Sequence, residues 1–271
     1  MIDAPAFIAH QERFAIVGST NDVVREWLAS GTPEVCLAIA DEQSAGRGRA
    51  GRRWEAPPGA ALLLSLGFRP SWLAPEHVWR LAATAMLAMA DAAEEIAGLP
   101  ERTIGLKWPN DLVVMHEDAA TGTVEVRKVA GVLGETEGLG TDDPRVVVGI
   151  GLNADWATAD FPPDLTDSMT SLREASDGRR IDRELLLDSF LRGVAVRIHE
   201  LREGRFDAEA WAGRQVLTGH LVRMGGDAAT FRVLGVDAHS GGLVVADPAA
   251  PGGDRTVVVG EVEQVRLVEG V

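Results

Sequence analysis

The chain has 271 residues, 46% of them hydrophobic, and a formal net charge of −15. That length holds one large domain, or a large and a small one, with ample material for a core. The acidic balance argues against general affinity for nucleic acid or anionic membranes, the single Cys36 excludes an intramolecular disulfide and fits a reducing, cytoplasmic compartment, and no uncharged apolar run is long enough to span a membrane.

The N-terminus, MIDAPAFIAHQERF, lacks a basic start followed by an apolar run, so no signal peptide is expected. IVG at 16–18 reads as a strand end. STNDVVREWLASG follows as a helix, with an apolar stripe through Val23, Val24, Trp27 and Leu28. Ser19 and Asp22 resemble a capping box, and Gly31 is a stop. VCLAIAD (35–41) reads as a buried strand with Cys36 as a small core residue, and AALLLSLGF (60–68) as another. Residues 75–98 are the clearest helix: Pro75 suits a first turn, and Gly98 and Pro100 end it. Its stripe through Val78, Leu81, Ala82, Ala85 and Met89 is core.

IGLKW (104–108), LVVM (112–115), VEVRKVAGVLGE (124–135) and RVVVGIGLN (145–153) read as successive strands. The polar links 116–123 and 136–144 between them are short and imply antiparallel hairpins. Residues 160–168 are irregular, and 183–204 form an amphipathic helix ending at Gly204. From about Gln215 the texture changes to five short apolar strands broken by glycine, which suggests a small barrel, with PAAPGGD (248–254) as a turn. The boundary falls near 204–214, giving domains 1–210 and 215–271.

Residues 44–54, SAGRGRAGRRW, are a positive island in this acidic chain. Arg47, Arg49, Arg52 and Arg53 alternate with Gly46, Gly48 and Gly51, and Trp54 closes the run. Glycine permits close backbone approach, and arginine offers a planar fork for phosphate or carboxylate. The alternative is a solvated basic loop. The regular alternation, just before a buried strand, favours an anion-binding loop whose guanidinium and backbone N–H groups converge on the ligand.

Other stretches carry polar groups at strand ends. In KWPND (107–111) Lys107 is a fixed charge, Trp108 a packing body, and Asn110 and Asp111 suit an Asx-capped hairpin turn. Lys128 begins an otherwise apolar strand. It needs an anionic partner or a water-filled cleft, or else it snorkels from an edge. Asn153 ends VGIGLN, where a strand-end turn is the plain alternative. Ser19, Thr20 and Asn21 either cap the helix or read an amide or ureido group, and Gln43 is a further donor–acceptor. The histidines show no metal-ligand spacing, and no Ser-His-Asp, Cys-His or Walker-type pattern occurs.

Taken in order, GRGRAGRRW (46–54), KWPND (107–111), KVAGVLGE (128–135) and GIGLN (149–153) resemble the catalytic signatures of biotin protein ligases. STN (19–21) and DEQSAG (41–46) resemble that family's biotin-side segments. The resemblance covers roughly 14–203, and 215–271 resembles the family's SH3-like C-terminal domain. It implies an α+β fold: a mixed, largely antiparallel sheet flanked by helices, like class II aminoacyl-tRNA synthetases. It implies that biotin and ATP, with Mg²⁺, give biotinyl-5′-AMP and pyrophosphate. The biotinyl group then passes to a lysine of a biotin carboxyl carrier domain.

By the same resemblance, Arg47, Gly48 and Arg49 line the carboxylate and phosphate, and Lys128 bridges the reactants. Ser19, Thr20, Asn21 and Gln43 face biotin, while Arg49, Arg52, Trp54, Lys107, Asn110 and Asn153 lie on the ATP side. The Mg²⁺ ligands are not identified. With STN already at 19, the DNA-binding domain that begins many members is not expected. The rivals are a lipoate or octanoate ligase on the same fold and a regulator using the basic loop on nucleic acid. The Arg/Gly run opposes the first and the −15 charge the second.

Overall fold

The computed structural model describes residues 7–117, 124–224, 229–247, 250, 252–258 and 265–267. A seven-stranded sheet comprises β1 (His10–Val17), β2 (Cys36–Gln43), β3 (Ala61–Phe68), β4 (Ile104–Lys107), β5 (Asp111–Glu117), β6 (Val124–Glu137) and β7 (Arg145–Asn153). Their order is β1-β2-β3-β7-β6-β5-β4. Every neighbouring pair is antiparallel except β1 and β2. That parallel pair needs a crossover, which helix α1 (Thr20–Ala29) supplies. The expected mixed, largely antiparallel sheet is therefore present. The other α-helices are α2 (Trp79–Ala97), α3 (Leu172–Ala175), α4 (Arg183–Arg202) and α5 (Ala208–Gly213).

Strand β3 is buried along its whole length. Side chains alternate faces along a strand. Leu62, Leu64, Leu66 and Phe68 join the large core with α2 and α4, through Leu81, Met86 and Phe190 among others. Burying each such side chain stabilises the fold by about 1.5–3 kcal/mol. The other face of β3 carries Ala61, Leu63, Ser65 and Gly67. Gly67 lets α1 press close, since a Cβ there would collide with the Cys36 Sγ and Val24. The opposite face thus meets the start of α1, and its one hydroxyl, Ser65, is fully buried there.

A second, antiparallel sheet contains β8 (Leu221–Met224), β9 (Thr230–Val236), β10 (Leu243–Ala246), β11 (Asp254–Val257) and β12 (Val265–Leu267), in the order β11-β10-β9-β8-β12. These are the five strands expected after Gln215. Its core gathers Leu217, Val222, Met224, Val233, Leu243, Val245 and Val257 around Trp108, which comes from the turn after β4. At the junction Leu106 N donates to Arg214 O at 2.7 Å, and Val216 N donates to Leu106 O at 3.0 Å.

Several expectations are corrected. The strand ending near 18 begins at His10, and five of its eight residues are exposed. It is an edge strand with one neighbour, so no apolar alternation marks it. Ser19 is the N-cap of α1 but its side chain makes no capping hydrogen bond; Asp22 is turned to arginines instead. Lys128 lies inside β6 rather than at its start. The first hairpin link shrinks because β5 runs to Glu117, and 118–123 lie outside the described residues, as do 248, 249 and 251 of the PAAPGGD turn. Among the described residues no helix is long and apolar enough to cross a membrane.

Candidate active site

A cavity of about 360 Å³ lies where the start of α1, the end of β2, the Arg/Gly loop, the KWPND turn and strands β6 and β7 meet. All the residues singled out above line it: Ser19, Thr20, Asn21, Gln43, Arg47, Gly48, Arg49, Arg52, Trp54, Lys107, Asn110, Lys128 and Asn153. They come from segments up to 134 positions apart (Ser19 to Asn153), and the sheet order brings them together.

One end is a buried amide and hydroxyl network. Thr20 N donates to Gln43 Oε1 at 2.7 Å, and the Thr20 hydroxyl lies 3.0 Å from the same oxygen. The Ser65 hydroxyl lies 2.7 Å from Thr20 Oγ1 and 2.6 Å from Asn21 Oδ1. Asn21 Nδ2 donates to Glu135 Oε2 at 2.7 Å. With the Gln43 carbonyl engaged by Thr20, its amide nitrogen remains as the donor it can offer a ligand. Ser65 was not foreseen; its only signal was one hydroxyl inside an otherwise apolar run.

The Arg/Gly loop closes one side. Gly48 N donates to Arg52 O at 2.7 Å, Arg52 N to Arg49 O at 3.2 Å, and Trp54 N to Gly46 O at 3.0 Å. These three backbone donors serve the loop itself. Arg47 is not a bare cation either. It donates to both carboxylate oxygens of Asp22, at 2.6 and 2.8 Å, and reaches Glu135 at 3.3 and 3.4 Å. Arg25 also pairs with Asp22. The Arg47 hydrogen bonds hold the Asp22 carboxyl below its ordinary range, against the opposing effect of burial. The same contacts raise the Arg47 pKa, so its charge is fixed. Arg49 is different: burial lowers its pKa, partly offset by the charge of Asp111. Its Nη1 lies 3.4 Å from Asn110 Oδ1. Arg53 pairs with Glu55 at 3.1 Å, and both border the cavity.

Lys128 has both features its position demanded. Its Nζ lies 2.6 Å from Asp111 Oδ1, and it borders the cavity. It also sits 5.4 Å from the centre of the Trp54 ring, a cation–π distance. Beside it a bulge leaves Val129 without a partner on β5: Leu112 pairs with Ala130 and Val113 with Lys128. Lys128 N donates to Ser168 O at 2.9 Å, and Thr170 N donates to Lys128 O at 2.8 Å. Asn153 Nδ2 donates to Thr170 O at 2.9 Å, tying that segment to the end of β7. Asn110 Nδ2 donates to Val132 O at 2.8 Å.

Glycines form the floor. A Cβ at Gly151 would stand 2.5 Å from the Trp54 ring, and one at Gly131 would stand 2.9 Å from Lys128 Nζ. A Cβ at Gly149 would overlap the Asn21 amide. Bare backbone at 149 and 151 lets Asn21 and Trp54 rest on the sheet, while at 131 the flexible end of Lys128 has room to shift. Asp22, Glu135 and Asp111 also belong to the site. Asp111 and Glu135 lay in stretches read as functional, in KWPND and KVAGVLGE, but none of the three was singled out, because carboxylates in an acidic chain carry no signal by themselves.

A basic Arg/Gly loop and a strand lysine thus border one cavity of a mixed sheet. The chain belongs to the biotin/lipoate A/B protein ligase family, whose model matches residues 14–153. It is 34% identical over 261 residues to the biotin–[acetyl-CoA-carboxylase] ligase of Mycobacterium tuberculosis, covering 93% of this chain and 87% of that one. It is 32% identical over 176 residues to the bifunctional ligase/repressor BirA of Bacillus spizizenii, covering 65% of this chain and 50% of that protein, so it spans about half that relative's length. Its structure is similar to the biotin protein ligase from Aquifex aeolicus in complex with biotin and ATP, with a TM-score of 0.75 and 26% identity over 96% of this chain and 99% of that one.

Proposed function

We propose that this protein activates biotin with ATP and transfers the biotinyl group to a lysine of a biotin carboxyl carrier domain. A carboxylate oxygen of biotin attacks the α-phosphorus, the bond to pyrophosphate breaks, and biotinyl-5′-AMP remains. The carrier lysine, as free amine, then attacks the acyl carbon and AMP leaves. The observation that carries the reading is a single cavity with an amide network at one end and Arg49 and Lys128 toward the other. Two anionic reactants must be held together there, which requires fixed positive charge between them.

Ser19, Thr20, Asn21 and Gln43 receive the biotin head group. Arg47, clasped by Asp22 and Glu135, holds the loop over it beside Gly48. Arg49 and Lys128 take the carboxylate and α-phosphate, and Trp54, Arg52, Lys107, Asn110 and Asn153 form the nucleotide side. Mg²⁺ supplies further charge neutralisation when it accompanies ATP. Among the described residues no three metal-binding side chains gather. Glu55 and Asp111 are carboxylates lining the cavity, and either would help hold the ion when it enters with ATP. The two sheets are read as domains 1–210 and 215–271, the second closing as an SH3-like barrel. A cytoplasmic location and no nucleic-acid partner complete the reading.

The test is pyrophosphate release with biotin and ATP and no carrier present. Release that needs biotin supports the reading, and release that needs lipoate or octanoate instead sinks it in favour of the sibling ligases.

A further inference from the structure

We propose that Trp108 is a positioning residue that couples the turn at 237–241 in the second sheet to the nucleotide side of the cavity. This rests on the biotin ligase reading for its assignment of that side to ATP. The KWPND segment has two faces. Lys107, Asn110 and Asp111 line the cavity, while Trp108 between them points away and is 1% exposed in the second sheet's core. Its Nε1 donates to Gly241 O at 2.9 Å.

The turn receiving it is held firmly. The Asp237 carboxylate accepts from His239 N at 3.2 Å and from Ser240 N and Oγ at 2.9 and 2.5 Å, and Gly241 N donates to Asp237 O at 2.8 Å. The main body grips the same turn at two more carbonyls. Trp79 Nε1 donates to His239 O at 3.2 Å, and Arg80 Nη2 donates to Ala238 O at 3.1 Å. Gly241 has φ +72°, and a Cβ on it would stand 2.5 Å from the Trp79 ring. The turn is thus docked against two indoles, one of which belongs to the site's own segment.

On the cavity side the connection is short. One residue, Pro109, separates Trp108 from Asn110, which bonds Val132 O and Arg49, and Asp111 follows with its contact to Lys128. A displacement of the indole therefore shifts the groups that face the nucleotide, and small misplacements of positioned groups reduce catalysis steeply. The groups assigned to the biotin head group hang from α1, β2 and β3 instead. The bonds of Thr20, Asn21, Gln43 and Ser65 described above run among themselves and to β6, and none runs to 107–111.

The experiment uses the full chain with Trp108→Phe, which keeps an aromatic ring but deletes the N–H donor and part of the bulk, and Gly241→Ala, which disturbs the turn from the other side. Steady-state pyrophosphate release gives KM for ATP and for biotin, and amide hydrogen exchange follows residues 104–113 and 221–246. Both variants are expected to raise the ATP KM about fivefold to tenfold, the scale of one lost hydrogen bond. The biotin KM should stay within about twofold, and exchange at 107–111 should quicken. The double variant should be no worse than the worse single one, because both act through one contact. An unchanged ATP KM, or ATP and biotin KM rising together, overturns the proposal. So does loosening of 221–246 with wild-type exchange at 107–111. If the parent shows no biotin-dependent pyrophosphate release, the ligase reading has failed, and exchange at 107–111 alone decides the coupling.

Discussion

Lys128 shows how much one residue's surroundings decide. A lysine among valines in β6 is tolerable because Asp111 lies 2.6 Å away and the cavity opens beside it. Lys128→Ala should fold and lose adenylate formation by about 3–4 kcal/mol of transition-state stabilisation; near-parental pyrophosphate release would remove it from the mechanism. Arg49→Gly should release biotinyl-AMP about tenfold to hundredfold faster, the scale of one charge-assisted hydrogen bond. Free biotin has no phosphate and should bind nearly as before; equal adenylate lifetimes would clear Arg49 of that role. The Asp22–Arg47 clasp adds a pH dependence. A carboxyl held low in the fold stabilises it above the unfolded value of about 3.9 and loses that contribution as pH falls through the folded value. Unfolding temperature should therefore fall below about pH 4 more in the parent than in Asp22→Asn, and identical profiles would show the clasp to be energetically idle.

At the scale of elements, α2 and β3 were plain in the sequence because burial on one or both faces leaves a long apolar record. Strand β1 left none, being an exposed edge, and α3 and α5 are too short to show a period. The segment after β7 looked irregular, yet it pairs with Lys128 on both sides and is anchored by Asn153. Asn153, expected beside the nucleotide, has its amide nitrogen committed to Thr170 O. Asn153→Ala would leave that buried carbonyl without its donor at a cost of about 1–3 kcal/mol. It should slow adenylate formation through the backbone of Lys128 and lower the unfolding temperature together; slower chemistry at parental stability would mean direct contact with ATP instead.

For the molecule as a whole, specific contacts lie at the junction of the two sheets. Arg214, at the junction, donates to both Glu94 oxygens at 2.8 and 2.9 Å, to Asp91 at 2.6 Å and to Ile104 O at 2.9 Å. Its side chain is 9% exposed and that of Glu94 6%, so neither charge has much water to fall back on. The hydrogen bonds Arg214 donates to Glu94, with the charges of Glu94 and Asp91, hold its pKa up against the opposing effect of burial. Arg214→Ala leaves a buried carboxylate unpaired and should cost about 3–5 kcal/mol in chemical denaturation. A loss below 1 kcal/mol would mean that water or another cation replaces it.

The sequence alone determined the strand and helix run from 20 to 153, the change of texture after Gln215, and a set of loop and strand-end polar residues that all proved to line one cavity. Those signals are local: apolar period, glycine placement, and charge standing out against its background. What only the tertiary structure decided is which groups meet. The clasp on Arg47, the Lys128–Asp111 pair and the Ser65 network join residues 17 to 114 positions apart, and no periodicity encodes such pairing. The seat of Trp108 in the other sheet is the clearest case, because its partner is a backbone carbonyl that every residue possesses.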